Sequence, residues 1–361
     1  TRFKEVLTDA IRIDKSKPFY DNNTLPITVE FVEQVVQAMR KELPDLRKFG
    51  VVGDFKITKL SRGDNYILPI LNTIVQAQEK ISLQNALNKY LLEDQSLLLD
   101  LNKQPLANSY HNNTNELEKY PLGVNLCNDC YHVQLTHIVN PDLLFKDYLY
   151  VSGTSQTLKD NFEWFSEFVM EYADHYCESV LDIACNDGSQ LDCFKSKGVD
   201  TYGIDPAENL YELSSKNHNV ICNYFDSNLY DRTFDIITAQ NVFAHNENAK
   251  QFLDDCSKLM HNDSYLFIQT SQAEMVQNNQ FDTIYHEHIS FFNINSMNEL
   301  AKRTDLNLID VIKTPVHGIS YLFIFSKKNI NKYLVQNLID VERQRGLLSD
   351  KLYSEYQNNV Q

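Results

Sequence analysis

No apolar run in this chain approaches the roughly 18–20 residues of a membrane span, so no transmembrane helix is expected. No secretory signal opens it, and no repeat or low-complexity segment stands out. Basic charge is short: 33 Lys and Arg face 49 Asp and Glu, a net charge of −16. A nucleic-acid partner is therefore not expected, because phosphate contacts need a basic surface. A small phosphorylated substrate stays compatible, since a local cationic pocket can sit in an acidic protein. The 7 cysteines are an odd number without framework spacing, which points to a reducing, cytoplasmic compartment. None precedes Cys127.

What is present is concentrated in two places. Tyr285-His286-Glu287-His288 sets two imidazoles, a carboxylate and a phenol side by side between apolar residues, a dense set of proton-transfer groups. Val180-Leu-Asp-Ile-Ala-Cys-Asn-Asp-Gly188 reads as a buried strand followed by a turn that opens a helix. Glycine at Gly188 lets the backbone approach a ligand closely. The next strand ends in Asp205, where a carboxylate can accept hydrogen bonds from both ribose hydroxyls. Tyr224-Phe225-Asp226 follows the third strand and is a candidate for adenine contact. The full G-x-G-x-x-G fingerprint is missing, which favours S-adenosylmethionine over a dinucleotide. The plain alternative is an ordinary strand–turn–helix with a solvated Asp205.

Around these motifs, residues 150–328 alternate helix and strand signals. Phe162, Phe165, Val169 and Tyr172 recur at helical spacing. Strands are expected at 179–184, 201–204, 219–225, 234–239, 265–270, 306–312 and 321–326, the last antiparallel. Helices are expected over 189–197 and 246–260. Residues 1–95 read as a mainly helical accessory region of unknown role, with Val29, Val32, Val35, Val36 and Met39 on one helix face. Residues 96–150 are turn-rich and aromatic, and the tail over 329–361 reads as helical.

These blocks resemble the S-adenosylmethionine-dependent C-methyltransferases of deoxysugar biosynthesis. The resemblance is carried by Gln104–Tyr110, Tyr120–Leu122, Cys127–Cys130 with Val133–Leu135, Asp147–Ser155, Val180–Gly188, Asn241–His245, Gln280–His288 and His317-Gly318, in the family's order. It implies an α/β fold: a seven-stranded class I (Rossmann-like) methyltransferase domain over 151–328. A short irregular lobe over 96–150, with a degenerate zinc-binding character, would help to bind substrate. It also implies a nucleotide-diphosphate sugar as substrate. A keto-deoxysugar would lose its alpha proton and take a methyl group on the resulting enolate. Carried over by motif, His288 is the base, Glu287 orients it or holds the sugar, and Tyr285 and His245 act around the ketone. Asp182, Asn186, Gly188, Asp205, Phe225, Asn241, Ser152, Thr154 and Ser155 are implied at the cofactor. Asn108, Tyr148, Tyr150 and His317 are implied at the sugar. His286 is read as structural, because alternate residues of an extended segment face opposite sides.

The sequence departs from the family in three ways. The second Cys-x-x-Cys that usually completes a four-cysteine zinc site is missing, and two thiolates do not close such a site, so no metal is assigned. Family members usually carry a further Rossmann-like domain after the tail, which is not expected within this sequence. Ala184-Cys185 stands where the family has Gly-Ser, and Ile319-Ser320 where it repeats glycine. An O- or N-methyltransferase, or a non-catalytic relative that kept the fold, are the alternative readings.

Overall fold

The structure, a computed structural model, describes residues 95–107, 117–146, 148, 150–173, 177–270, 273–315 and 319–360. By its contacts the chain divides after Gln95, and the fold below is that of the second unit, Ser96–Gln361. The expected helical region before it lies outside the described residues, as do Asn108 and His317.

The chain enters through β1 (Gln95–Gln104), β2 (Tyr120–Cys127) and β3 (Val133–Leu135), where the sequence reading expected irregular structure. β1 alternates imperfectly and is mostly exposed, so it lacks the continuous apolar run that marks a buried strand. One helical turn, α1 (Asp142–Phe145), precedes α2 (Gln156–Ala173). Leu158, Phe162, Phe165, Val169 and Ala173 are buried along one stripe of α2, as its apolar spacing requires.

Five parallel strands then alternate with helices: β4 (Ser179–Ile183), α3 (Ser189–Ser196), β5 (Asp200–Asp205), α4 (Glu208–Ser214), β6 (Asn219–Cys222), β7 (Phe234–Gln240), α5 (Ala249–Lys258) and β8 (Met260–Thr270). A two-residue strand, β9 (Ser290–Phe291), returns to the small sheet, and α6 (Ile294–Ala301) follows. Asn293 caps α6 with a reciprocal box: its side chain accepts from the Ser296 amide at 2.6 Å, and Ser296 Oγ accepts from the Asn293 amide at 3.1 Å. β10 (Asn307–Thr314) and β11 (Ser320–Ser326) complete the large sheet before α7 (Lys332–Gln344) and α8 (Asp350–Val360).

The large sheet runs in the order β10-β11-β8-β7-β4-β5-β6, with β11 antiparallel to both neighbours. The seven expected strands are all present. The small sheet has the order β1-β2-β3-β9. Two cores result. One gathers Phe165, Val169, Leu191, Phe194, Phe267 and Ile324 against the large sheet. The other gathers Val124, Leu126, Val133 and Phe291 of the small sheet with Tyr353 and Tyr356 of α8.

Candidate functional site

At the carboxyl ends of β4 and β5 the chain turns sharply. Ala184, Asn186 and Gly188 have φ of 62°, 51° and 84°. Only Gly188 meets this without steric cost. A Cβ on it would also come within 3.0 Å of the His218 ring. The crossover point of a parallel sheet is where such folds bind ligands. A cavity of about 780 Å³ opens there.

Asn186 organises the turn. Its amide donates to Asp205 Oδ2 at 2.9 Å. Its side chain accepts from the Ser152 amide at 2.9 Å and donates to the Tyr150 carbonyl at 3.0 Å. The two bonds copy a strand pairing and lay the Tyr150–Ser152 segment against the turn. Asp187 adds a bond from the Gly153 amide at 2.9 Å. Asp205 also accepts from the Ala207 amide at 2.8 Å. Burial raises its pKa, and those two amides oppose the shift. Asp182 is buried beneath the turn and accepts from Thr238 Oγ1 at 2.6 Å. Burial pushes its carboxyl up to about 7 against that bond, with the Asp205 charge adding to the rise.

Asp182, Asn186, Asp205, Phe225, Asn241 and Ser152 all line this cavity. Gly188 shapes it from the helix end without lining it. Thr154 and Ser155 lie apart: Thr154 Oγ1 donates to the Val151 carbonyl at 2.8 Å, and Ser155 Oγ accepts from the Leu158 amide at 3.4 Å as α2 begins. Tyr224, of the expected Tyr224–Asp226 group, lines the cavity too, and so does Gln240, to which no motif pointed. Gln240 Oε1 is shut off from water with no partner among the described residues. Its position at the end of a buried strand was the available signal.

Across the same cavity four rings form a stack. Phe145 lies on His245 with centroids 5.5 Å apart, His245 on His288 at 5.3 Å, and His288 on Tyr285 at 4.2 Å. His288 Nδ1 lies 3.0 Å from the Thr283 carbonyl, which can only accept. The neutral ring therefore carries its proton on Nδ1 and its lone pair on Nε2. Tyr285 Oη donates to that Nε2 at 2.9 Å. Burial, then the nearby Glu287 charge, raises the Tyr285 pKa, so the phenol keeps its proton. The same two causes, in the same order, raise that of Tyr148. His245 opens partly on the cavity, yet desolvation, then His288, pushes its pKa down to about 3 and keeps it neutral. Tyr148, Tyr150 and Glu287 join the lining. His286 faces away, buried, with Nε2 at 3.4 Å from the Tyr120 carbonyl. The segment is not extended, as expected from the sequence, but a turn closed by the His288 amide on the Tyr285 carbonyl at 3.0 Å. It is this turn that sends His286 away while Tyr285, Glu287 and His288 line the cavity.

Residues 154–311 match the sequence model of a family described as a methyltransferase domain. That span carries the Ala184–Gly188 turn, Asp205 and the four residues Tyr285–His288. Residues 154–311 are a methyltransferase domain. Its sheet order is that of the class I S-adenosylmethionine-dependent enzymes. The cradle fits that cofactor: a turn a side chain would fill, and a carboxylate at the second strand's end.

Upstream of the methyltransferase domain, residues 93–145 match a putative zinc binding domain. A C-methyltransferase of Streptomyces niveus is 26% identical over 251 residues, 66% of this chain and 59% of its own length. The chain thus spans less than two thirds of that relative. An uncharacterized methyltransferase of Staphylococcus carnosus is 26% identical over 149 residues, 40% of this chain and 72% of its own length. Among solved structures, the plantazolicin methyltransferase BpumL with SAH matches at a TM-score of 0.38 and 18% identity, over 46% of this chain and 82% of that one. A methyltransferase from Clostridium acetobutylicum matches at a TM-score of 0.39 and 14% identity, over 45% and 90%.

Among the described residues no group of three or more His, Cys, Asp and Glu side chains is arranged for a metal; His111, within the matched span, lies outside them. Cys127 and Cys130 are free thiols.

Proposed function

We propose that the protein is a C-methyltransferase of a nucleotide-linked keto-deoxysugar. The observation that carries this reading is the imidazole–phenol pair of His288 and Tyr285 in the same cavity as the cofactor turn. A heteroatom nucleophile has its own lone pair, whereas a carbon alpha to a ketone needs a base of near-neutral pKa. The Streptomyces relative, a C-methyltransferase, supports the same reaction type.

S-adenosylmethionine supplies an electrophilic methyl group when bound. Asp205 would hold its ribose, Phe225 its adenine, and the Asn186 turn its amino-acid end. The protein's own task is to make the carbanion. The sugar C–H bond breaks and its proton passes to Tyr285 Oη, as the phenol proton passes to His288 Nε2. The electron pair left on carbon delocalises onto the ketone oxygen. His288 is then a cation, held by the Thr283 carbonyl on one nitrogen and donating to Tyr285 on the other. The phenol proton, no longer committed to Nε2, turns to the enolate oxygen as the charge develops there. The stack of Phe145 and His245 fixes the ring plane of His288 and excludes water from its face. No lysine or arginine lines the cavity among the described residues. We therefore place the sugar and the methyl donor in it, and the diphosphate outside it.

Alpha-proton exchange in heavy water tests this with a nucleotide 4-keto sugar. His288→Asn should slow both exchange and methylation by about 10²–10⁴, the usual range for loss of a general base. Calorimetry should find cofactor affinity nearly unmoved. Methylation without any loss of the alpha proton would sink the reading, and the target would then be an oxygen or nitrogen.

A further inference from the structure

The Cys127–His132 turn has the form of a metal-binding knuckle. The Cys127 amide donates to the His132 carbonyl at 2.8 Å, and the Tyr131 amide to the Cys127 carbonyl at 2.9 Å. The residue after the second cysteine, Tyr131, has φ of 59°. That conformation is costly for a bulky side chain and persists only if the surroundings enforce it.

Among the described residues, no set of ligands lets a metal be the enforcing agent. Closed structural zinc sites use four ligands, nearly all cysteine or histidine. Residues 1–94 contain neither, and no cysteine precedes Cys127. His132 is turned inward, 3.3 Å from Ser290 Oγ, with its ring centroid 4.4 Å from that of Phe292.

The surroundings instead supply hydrogen bonds and a stack. The Tyr131 ring lies on Tyr353 of α8, with centroids 5.7 Å apart and planes 22° from parallel. Tyr131 Oη donates to Asp350 at 3.1 Å. The Tyr131 carbonyl accepts from Asn293 Nδ2 at 2.7 Å and from Tyr353 Oη at 3.4 Å. The Cys130 carbonyl accepts from Asn295 Nδ2 at 3.2 Å. Tyr353 and Tyr356 are buried in the small sheet's core. Tyr356 also donates to the Gln280 carbonyl at 2.8 Å, at the start of the loop that carries Tyr285 and His288.

We infer that helix α8 clamps the Cys127–His132 turn in place of a metal and leaves Cys127 and Cys130 as an open dithiol. The same helix ties that turn to the loop bearing the proton-transfer pair. The dithiol is polarised: a hydrogen bond from Cys130 pulls the Cys127 thiol down to about 6, and the same bond raises that of Cys130. Neither shift is needed for the clamp. The inference stands whether or not the substrate is a sugar.

The test uses the full chain purified with zinc present and then dialysed. No stoichiometric zinc should remain, and a chelator should leave the melting temperature unchanged. The double substitution Cys127→Ser with Cys130→Ser should move it by no more than about 2 °C, the scale of a surface change. Tyr353→Ala should lower it by about 5 °C or more, as loss of a buried aromatic does in a domain of this size. Should that variant not fold, Tyr131→Gly decides. Glycine relieves the backbone strain, so a metal-held turn would melt higher with it or unchanged. A turn clamped by the Tyr131–Tyr353 stack melts lower. One zinc per chain whose removal lowers the melting temperature would overturn the inference, as would a Tyr353→Ala protein that melts like the wild type.

Discussion

In the large sheet, every residue of β4 and of β11 is buried; in the small sheet, six of the ten residues of β1 are exposed. The large sheet is buried largely through apolar area, with few buried side-chain bonds such as that of Thr238 to Asp182. The small sheet has one core face, and its far end is closed by particular contacts: a tyrosine stack, two asparagine amides and the α6 cap. Burial of an interchangeable apolar set tolerates sequence change as long as volume is kept. A clamp made of few, directional contacts does not, since each partner removed leaves another unsatisfied. The Cys127 turn shows how such a lobe can exchange one fastener for another while the strand pairing stays.

The sharpest way to break this comparison is Leu126→Ala in the small core. It should cost about 2–5 kcal/mol there, the range for a large-to-small change in a core. β3 pairs with β9, which begins two residues after His288. Sugar alpha-proton exchange should therefore slow, while cofactor affinity moves less than about twofold, as expected for separated sites. Cofactor affinity falling in step with exchange would mean that the two sheets act as one unit. In the other direction, Asp205→Ala should weaken cofactor binding by about 1.5–3 kcal/mol, the worth of charge-assisted hydrogen bonds. Small-sheet amide exchange should stay as in the wild type. Unchanged affinity by calorimetry would remove Asp205 from the ribose site.

Acid should act on the small sheet through His132, whose pKa burial pushes down to about 4. The unfolded chain takes up the proton near pH 6.5 and the folded one only near 4. The unfolded state thus binds more protons in that window, and stability falls as pH drops through it. His132→Phe should make urea midpoints less acid-sensitive between pH 6.5 and 4. An unchanged slope would show that the ring is solvated. The smallest effect is expected at the cofactor turn: Ala184→Gly should stabilise by about 1 kcal/mol, because φ of 62° suits glycine better than alanine. A loss of stability would mean that the Ala184 methyl packs to more advantage than its backbone strain costs.

The same difference explains what could be read in advance. Phe162, Phe165 and Val169 announced α2 because a helix buries one stripe. The parallel strands announced themselves as unbroken apolar runs because both faces are covered. β1 was missed because it is mostly exposed and mixes polar with apolar residues, β2 because Pro121 and Gly123 interrupt it, and β3 and β9 because three and two residues carry no period. At the site, Asp205 and the Asn186 turn were legible from their places at strand ends, and Asn241 only through the resemblance. Tyr224 was legible beside Phe225 after the third strand, whereas Gln240 went unread although it ends a buried strand.

The sequence by itself determined the seven-stranded α/β sheet, the glycine turn with its strand-end acid, and the chemical types in Tyr285–His288. Those follow from periodicity and local backbone demands, which act between near neighbours. Tertiary structure alone decided that Thr283 sets the His288 tautomer, that Tyr285 rather than His286 meets its free nitrogen, and that α8 closes the Cys127 turn. Each of these depends on a distance between atoms that only the packed chain brings within hydrogen-bond reach.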